Sequence, residues 1–350
     1  MKNNKNFIRT FIIVLVAGVT FSCDKYLEED LRDALSPSTF YNNDNEATIA
    51  VNGGYALLTG EQGMRSRNWT QMWQMGTDES SSNRGVYKEG HNYTYTEGVR
   101  DGEDFWNLMY EIVRNTSGAL PKIEGNSNLS QTVIDQSVGQ LLVIRALAYY
   151  NLTRMWGDVP FFTELLEPKE LATLKRTPYS TVTTAMKSDL QRAYGLLPDS
   201  YSGSGNEGRF TKWAAMALKA KFHMFDREWS DMKAACVDII NNSPHKLMDN
   251  FENVYNWRNY SPSTSMNSEQ ILWIDFAGVS GNGVVVSPLS RSNSLYEEFN
   301  PRLRDEPKSK SEKAALQAAL AANGDAMTGY GGRVPKPDFA LQTSWEDGDL

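Results

Sequence analysis

His91, His223 and His245 are the imidazoles of this chain, and imidazole is the side chain best suited to proton transfer or metal binding near neutral pH. They stand far apart and lack metal-ligand spacing, so no metal is expected, and His223, beside Phe222 inside a helical pattern, reads as a core edge. Cys236 shares a helical stripe with Met232, Ile239 and Ile240 and reads as a small buried hydrophobe. Gly203, Gly205 and Gly208 spell GxGxxG, but a dinucleotide fingerprint must follow a strand and open a βαβ unit. Here a helical pattern precedes it, so the segment reads as a flexible connection, with Thr211 positioned to cap the next helix. There is no GxSxG elbow, P-loop or EF-hand spacing. The 43 Asp and Glu residues could supply a glycosidase pair, but such a pair is defined by separation in space. Neither an enzyme activity nor a cofactor is expected.

Rings are the better-supplied chemistry. The chain has 16 Tyr and 9 Trp, and a flat ring can cover the apolar face of a sugar while Asn, Asp or Arg satisfy its hydroxyls. Most such rings belong to the core. Those in a segment without apolar periodicity are less committed, and SSSNRGVYKEGHNYTYTEG is such a segment: polar, glycine-containing and long enough to be a functional loop. Tyr87 and Tyr93 are therefore the leading ligand-binding candidates, followed by Trp257 and Tyr296. The net charge of -8 argues against a nucleic-acid partner, since no basic stripe is available to neutralise phosphates.

The elements that must position these rings are helices. Ala47, Ala50, Val51, Gly54 and Leu58 share one face of a first helix from about 45 to 58. Phe105, Leu108, Met109, Ile112, Val113 and Thr116 predict a second over 104 to 120, ended by Pro121. From Leu141 to Trp156 nearly every position is apolar, so this helix should be buried on most of its circumference. Gly157, Asp158 and Pro160 then stop it sharply. Val182, Met186, Leu190, Ala193 and Leu197 form the next stripe. A helix pair follows from Trp213 through Ile240, and NSEQILWIDF predicts a short extended segment at Glu269 and Ile271. Ser309 and Glu312 open a short Ala- and Lys-rich surface helix.

Arg145, Ala146, Tyr149, Tyr150 and Leu152, followed by Gly157, Asp158, Val159 and Pro160, resemble the signature helix and turn of the SusD/RagB family of Bacteroidetes outer-membrane lipoproteins. AVNGGYALL, the Thr77-Asp78-Glu79 step, and Gly208, Arg209, Trp213, Ala214 and Ala217 extend the resemblance. It implies a mainly α fold, a tetratricopeptide-like helical superhelix with irregular ligand-binding loops. It also implies capture of a nutrient, mostly glycan, for a partner TonB-dependent transporter barrel of the SusC type. The family pattern is longer than this chain, which on that comparison reads as truncated at its C-terminus. A non-catalytic helical-repeat lipoprotein adaptor, whose ligand is another protein, is the alternative.

Lys2, Lys5 and Arg9 precede an apolar run from Phe11 to Phe21, too short to span a bilayer as a helix but suited to a secretory signal. Ser22 and Cys23 then resemble a lipobox. The expected organisation is a lipoprotein signal peptide over 1–22, a tether over 23–44 starting at a lipid-bearing Cys23, and a helical domain over 45–350. The protein is thus expected on the outer membrane by its lipid anchor, facing the exterior. Acylation of Cys23 leaves Cys236 alone, so no internal disulfide is expected.

Overall fold

The first helix begins where a side chain can replace a missing backbone partner. Asn43 accepts a hydrogen bond from the Glu46 amide at 3.1 Å and opens α1, Asp44–Leu58, in the manner of a helix N-cap. The computed structural model describes residues 40–59, 73, 76–77, 80–81, 89–90, 92–94, 100–201, 206, 208–249, 268–272 and 336–337. The chain divides into a unit over 1–42 and a unit over 43–350, and the second holds every helix and strand named here.

In that unit α1 is followed by β1 (Ser80–Ser81), α2 (Arg100–Ile123), α3 (Gln131–Trp156), β2 (Val159–Pro160), α4 (Pro168–Leu171), β3 (Arg176–Thr177), α5 (Tyr179–Leu196), α6 (Lys212–Phe225), α7 (Trp229–Asn242) and β4 (Lys336–Pro337). The strands are two-residue antiparallel pairs. Val159 faces Thr177 and Pro160 faces Arg176, while Ser80 faces Pro337 and Ser81 faces Lys336. The fold is therefore mainly α, built from consecutive packed helices.

The centre is α3, where every residue from Ser137 to Thr153 is buried. It packs against α1, α2, α5 and α6. Small residues permit the close approaches. A Cβ on Gly139 would stand 2.6 Å from Leu197 Cγ, and one on Gly54 would stand 3.1 Å from Ile144 Cδ1. The first value lies inside van der Waals contact, so the end of α5 can reach α3 only because position 139 lacks a side chain. From α5 the stack continues to α6 and then α7, each helix using its neighbour as the other half of its core, the logic of a helical repeat.

Several boundaries differ from the sequence reading. Burial on α3 starts at Ser137 and ends at Thr153, with Arg154, Met155 and Trp156 half-buried. α2 does not end at Pro121 but continues to Ile123. Proline forfeits one amide bond, and in a last turn the remaining packing of Leu120 and Ile123, both buried, outweighs that loss. Glu269 lies in a turn and Ile271 in a bend rather than in an extended segment. There the backbone amide of Lys246 bonds the Ser268 carbonyl at 3.2 Å, and the Glu269 carboxylate accepts the Met248 amide at 2.6 Å. Thr211 stands at the N-cap position of α6, but its side chain makes no cap bond.

Candidate ligand-binding surface

The turn after α3 is held by the polar side chains of the stretch that precedes it. Tyr149 donates its hydroxyl to the Phe162 carbonyl at 2.8 Å and accepts the Phe162 amide at 3.0 Å. Arg145 bonds the Asp189 carboxylate of α5 through Nη2 at 2.7 Å and Nε at 3.2 Å, and gives Nη1 to the Thr163 carbonyl at 3.0 Å. Asp158 accepts the amide of Tyr179, the first residue of α5, at 2.8 Å. Thus a carboxylate from a distant turn satisfies the helix N-terminus that Pro178 leaves uncapped. These residues build a platform and present no free chemistry.

A second network closes the far end. Arg154 of α3 donates to the Tyr179 hydroxyl, which donates to Asp226. The Arg154 guanidinium lies 4.7 Å from the Tyr179 ring centroid and 4.2 Å from that of Phe225, within cation–π range. Lys187 of α5 bonds Asp226 at 2.8 Å and both oxygens of Glu228 at 2.6 and 2.8 Å. Glu228 reaches this point because the turn after α6 places Arg227 at φ 61 and closes the Glu228 amide onto the His223 carbonyl at 2.9 Å, a Schellman-type cap on a non-glycine residue. His223 Nδ1 then lies 2.5 Å from Glu228 Oε2.

The electrostatics follow from that geometry. Burial raises the Asp226 carboxyl, but bonds from Lys187, Tyr179 and Thr183 outweigh it and the net shift is downward. The Lys187 ammonium likewise holds Glu228 below its ordinary range. Burial, aided by the bond to Asp226, pushes the Tyr179 phenol up to about 12, so it remains a proton donor at neutral pH. His223, Glu228 and Asp231 present ligand atoms within 4.8 Å of one another. The Lys187 ammonium already sits against Glu228, however, and supplies the positive charge that an ion would bring. The arrangement can lock three helices together; it has no activated nucleophile.

Of the sequence-predicted contacts, Tyr93 is described, and its ring is 74% exposed. A short turn holds it: the Tyr93 amide bonds the Gly90 carbonyl at 3.2 Å, the Thr94 amide bonds that of Glu89 at 2.9 Å, and Tyr93 adopts φ 54. Its hydroxyl donates to the Gly76 carbonyl. A Cβ on Gly76 would stand 3.6 Å from Tyr93 Cε1, so the ring lies along bare backbone. Nearby in sequence, Trp73 stacks on Tyr150 of α3, centroids 6.3 Å apart and 7° from parallel. Tyr87, Trp257, Tyr296, Cys23 and His91 lie outside the described residues, as does the helix expected after Ser309.

The remaining candidates resolve into structure. Gly208 adopts φ 77 ahead of α6, and α5 precedes it, so the GxGxxG segment joins two helices. Its neighbour Arg209 bonds Gln140 of α3 at 3.2 Å and Asn52 of α1 at 3.0 Å. Cys236 is half-buried rather than buried, packed at the margin of the cluster around Trp213 and Ile239, and Ile240 is 74% exposed. Both belong to the last described helix of the stack, where no further described helix covers that side. The ion-paired network was missed because Arg154, Lys187 and Glu228 come from three separate segments; only the Asp226-Arg227-Glu228 turn hinted at it.

A family model described as starch-binding and associating with the outer membrane matches residues 25–224. A SusD-like protein of Formosa agariphila is 35% identical over 94% of this chain and 65% of its own length. A SusD-like protein of Bacteroides ovatus is 24% identical over 48% of this chain and 32% of its own length. Among solved structures, a laminarin-binding SusD-like protein superposes with a TM-score of 0.62 at 24% identity, covering 75% of this chain and 58% of that one. A SusD homologue from Bacteroides thetaiotaomicron gives 0.61 at 20%, covering 70% and 49%. These structural relatives share the tetratricopeptide-like helical fold, and the chain spans only part of each relative's length.

Proposed function

The chain belongs to the SusD/RagB family, and from that premise we propose that it captures a nutrient glycan at the cell surface, without turning it over, and passes it to a TonB-dependent transporter barrel. The observation that carries the binding step is Tyr93, an exposed ring fixed by its own turn and by the Gly76 carbonyl. A ring held in place before binding loses little freedom when a sugar stacks on it. Tyr87, Trp257 and Tyr296 complete the proposed contact set. The family description supports a starch-like ligand and an outer-membrane setting, and the laminarin-binding relative of the same fold supports a glucan.

Lipid on Cys23 would hold the protein at the membrane, because several acyl chains anchor firmly where one does not. Tethering beside a barrel raises the effective concentration of captured ligand at the pore without requiring a tight protein–protein contact. Isothermal titration of the full chain against laminarin and starch oligosaccharides tests the binding step. Tyr93→Ala should weaken the preferred glycan about two- to tenfold, the equivalent of roughly 0.5–1.5 kcal/mol, with an unchanged melting temperature. Absence of glycan binding by the unaltered chain would overturn the reading.

A further inference from the structure

We propose that the groove between α2 and the segment after β2 is a second saccharide-binding site, lined by residues other than Tyr93; the inference rests on the glycan-binding reading above. The groove encloses about 460 Å³ and is floored by the rings of Trp106, Tyr110 and Phe162, within the usual size of small-ligand sites. Trp106 and Tyr110 are one helical turn apart on α2, with centroids 4.8 Å apart. Both rings on α2 are held by neighbours. Trp106 meets Trp156 edge-on at 5.0 Å, Tyr110 lies 20° from parallel with Phe162 at 6.2 Å, and the Tyr110 hydroxyl donates to the Pro160 carbonyl at 2.7 Å. The platform exists before any ligand arrives.

Beside it runs a polar line. Asn107, Glu111 and Arg114 follow the i, i+4, i+7 spacing that places them along one face of α2, all three are exposed, and all three line the groove. Among the described residues none of these side chains has a hydrogen bond or ion pair. From Trp106 to Arg114 the helix rises about 12 Å, room for more than one sugar ring. A sugar hydroxyl both donates and accepts, and this line offers donors on Arg114, acceptors on Glu111 and both on Asn107. A wholly apolar ligand would strip water from these groups without replacing its hydrogen bonds, and Glu111 disfavours a phosphate. A neutral oligosaccharide satisfies the rings and the polar line together.

Titration of the full chain with short and long oligosaccharides of laminarin and starch tests this. The unaltered protein should take a short oligosaccharide at two sites. The double variant Asn107→Ala/Arg114→Ala should retain one site and bind the longer ligand at least about fivefold more weakly, without a change in melting temperature, since both side chains are exposed. Trp106→Ala should remove the same site, and its melt reports any loss of packing against Trp156. Tyr93→Ala should retain the groove. If the unaltered chain binds glycan and the double variant binds it identically in number and affinity, the groove holds no sugar: this proposal falls while the glycan reading stands. That result would also follow if the groove took a peptide. If the unaltered chain binds no glycan, both fall.

Discussion

Along α3 every residue from Ser137 to Thr153 is buried, whereas α7, with Met232, Ala235, Cys236, Ile239 and Ile240 at similar helical spacing, buries Ala235 and Ile239 alone. The difference lies in neighbours rather than in apolar content. Helix α3 is packed by four others, while α7 packs chiefly on α6. In a stacked helical fold the interior of one unit is completed by the next, so the same kind of stripe is core in one place and surface in another. Individual side chains follow the same rule. On α3, Arg145 and Tyr149 are fully engaged, whereas α7 leaves Val237 and Ile240 exposed to solvent.

The largest break in this contrast should come from Arg145. Its side chain is 6% exposed and its Asp189 partner 20%, so Arg145→Ala would leave a poorly hydrated carboxylate and an unpaired Thr163 carbonyl. The expected loss is about 3 kcal/mol, the low end for a broken buried pair because Asp189 keeps some water. Urea unfolding measures it; a loss below about 1 kcal/mol would mean that the signature residues are not the platform.

An intermediate effect is expected at Lys187. Asp226 and Glu228 have folded pKa values below their ordinary 3.8 and 4.5. Their contribution is complete above those ordinary values and is lost as pH falls through the depressed ones. For Lys187, burial opposes the charge, but the bonds to both carboxylates prevail and raise its pKa above 10.5. Its contribution is therefore present below pH 10.5 and fades as pH rises through the higher folded value. Lys187→Met should lower stability at pH 7 by roughly 1–3 kcal/mol and flatten both limbs of the stability–pH curve. Melts between acid and alkaline pH would show it, and limbs identical to the parent's would remove the network as their source.

The smallest effect is expected on α7. Ile240 is 74% exposed, so Ile240→Ser should change unfolding free energy by less than about 0.5 kcal/mol. A loss above about 2 kcal/mol would show that this face is covered as tightly as α3 and would erase the contrast.

Much of the fold was legible beforehand because helix stripes are local. Val182, Met186, Leu190, Ala193 and Leu197 are buried as their spacing implies, and Gly157 with Pro160 ends α3 where punctuation by those residues requires. The three-dimensional arrangement decided what spacing cannot encode. It set which stripe would find neighbours, so that Cys236 and Ile240 emerged at a margin. It also set which distant groups would meet: Arg145 with Asp189, Asp158 with the start of α5, and Lys187 with Glu228. For the proposed ligand contacts the division is the same. The polar, aperiodic loop marked Tyr93 as a ring free of helix packing, and that was readable in one dimension. Trp106 and Tyr110 stood outside the apolar stripe of α2 and drew no assignment from spacing, because the groove beside them exists only once the chain after β2 folds back along α2.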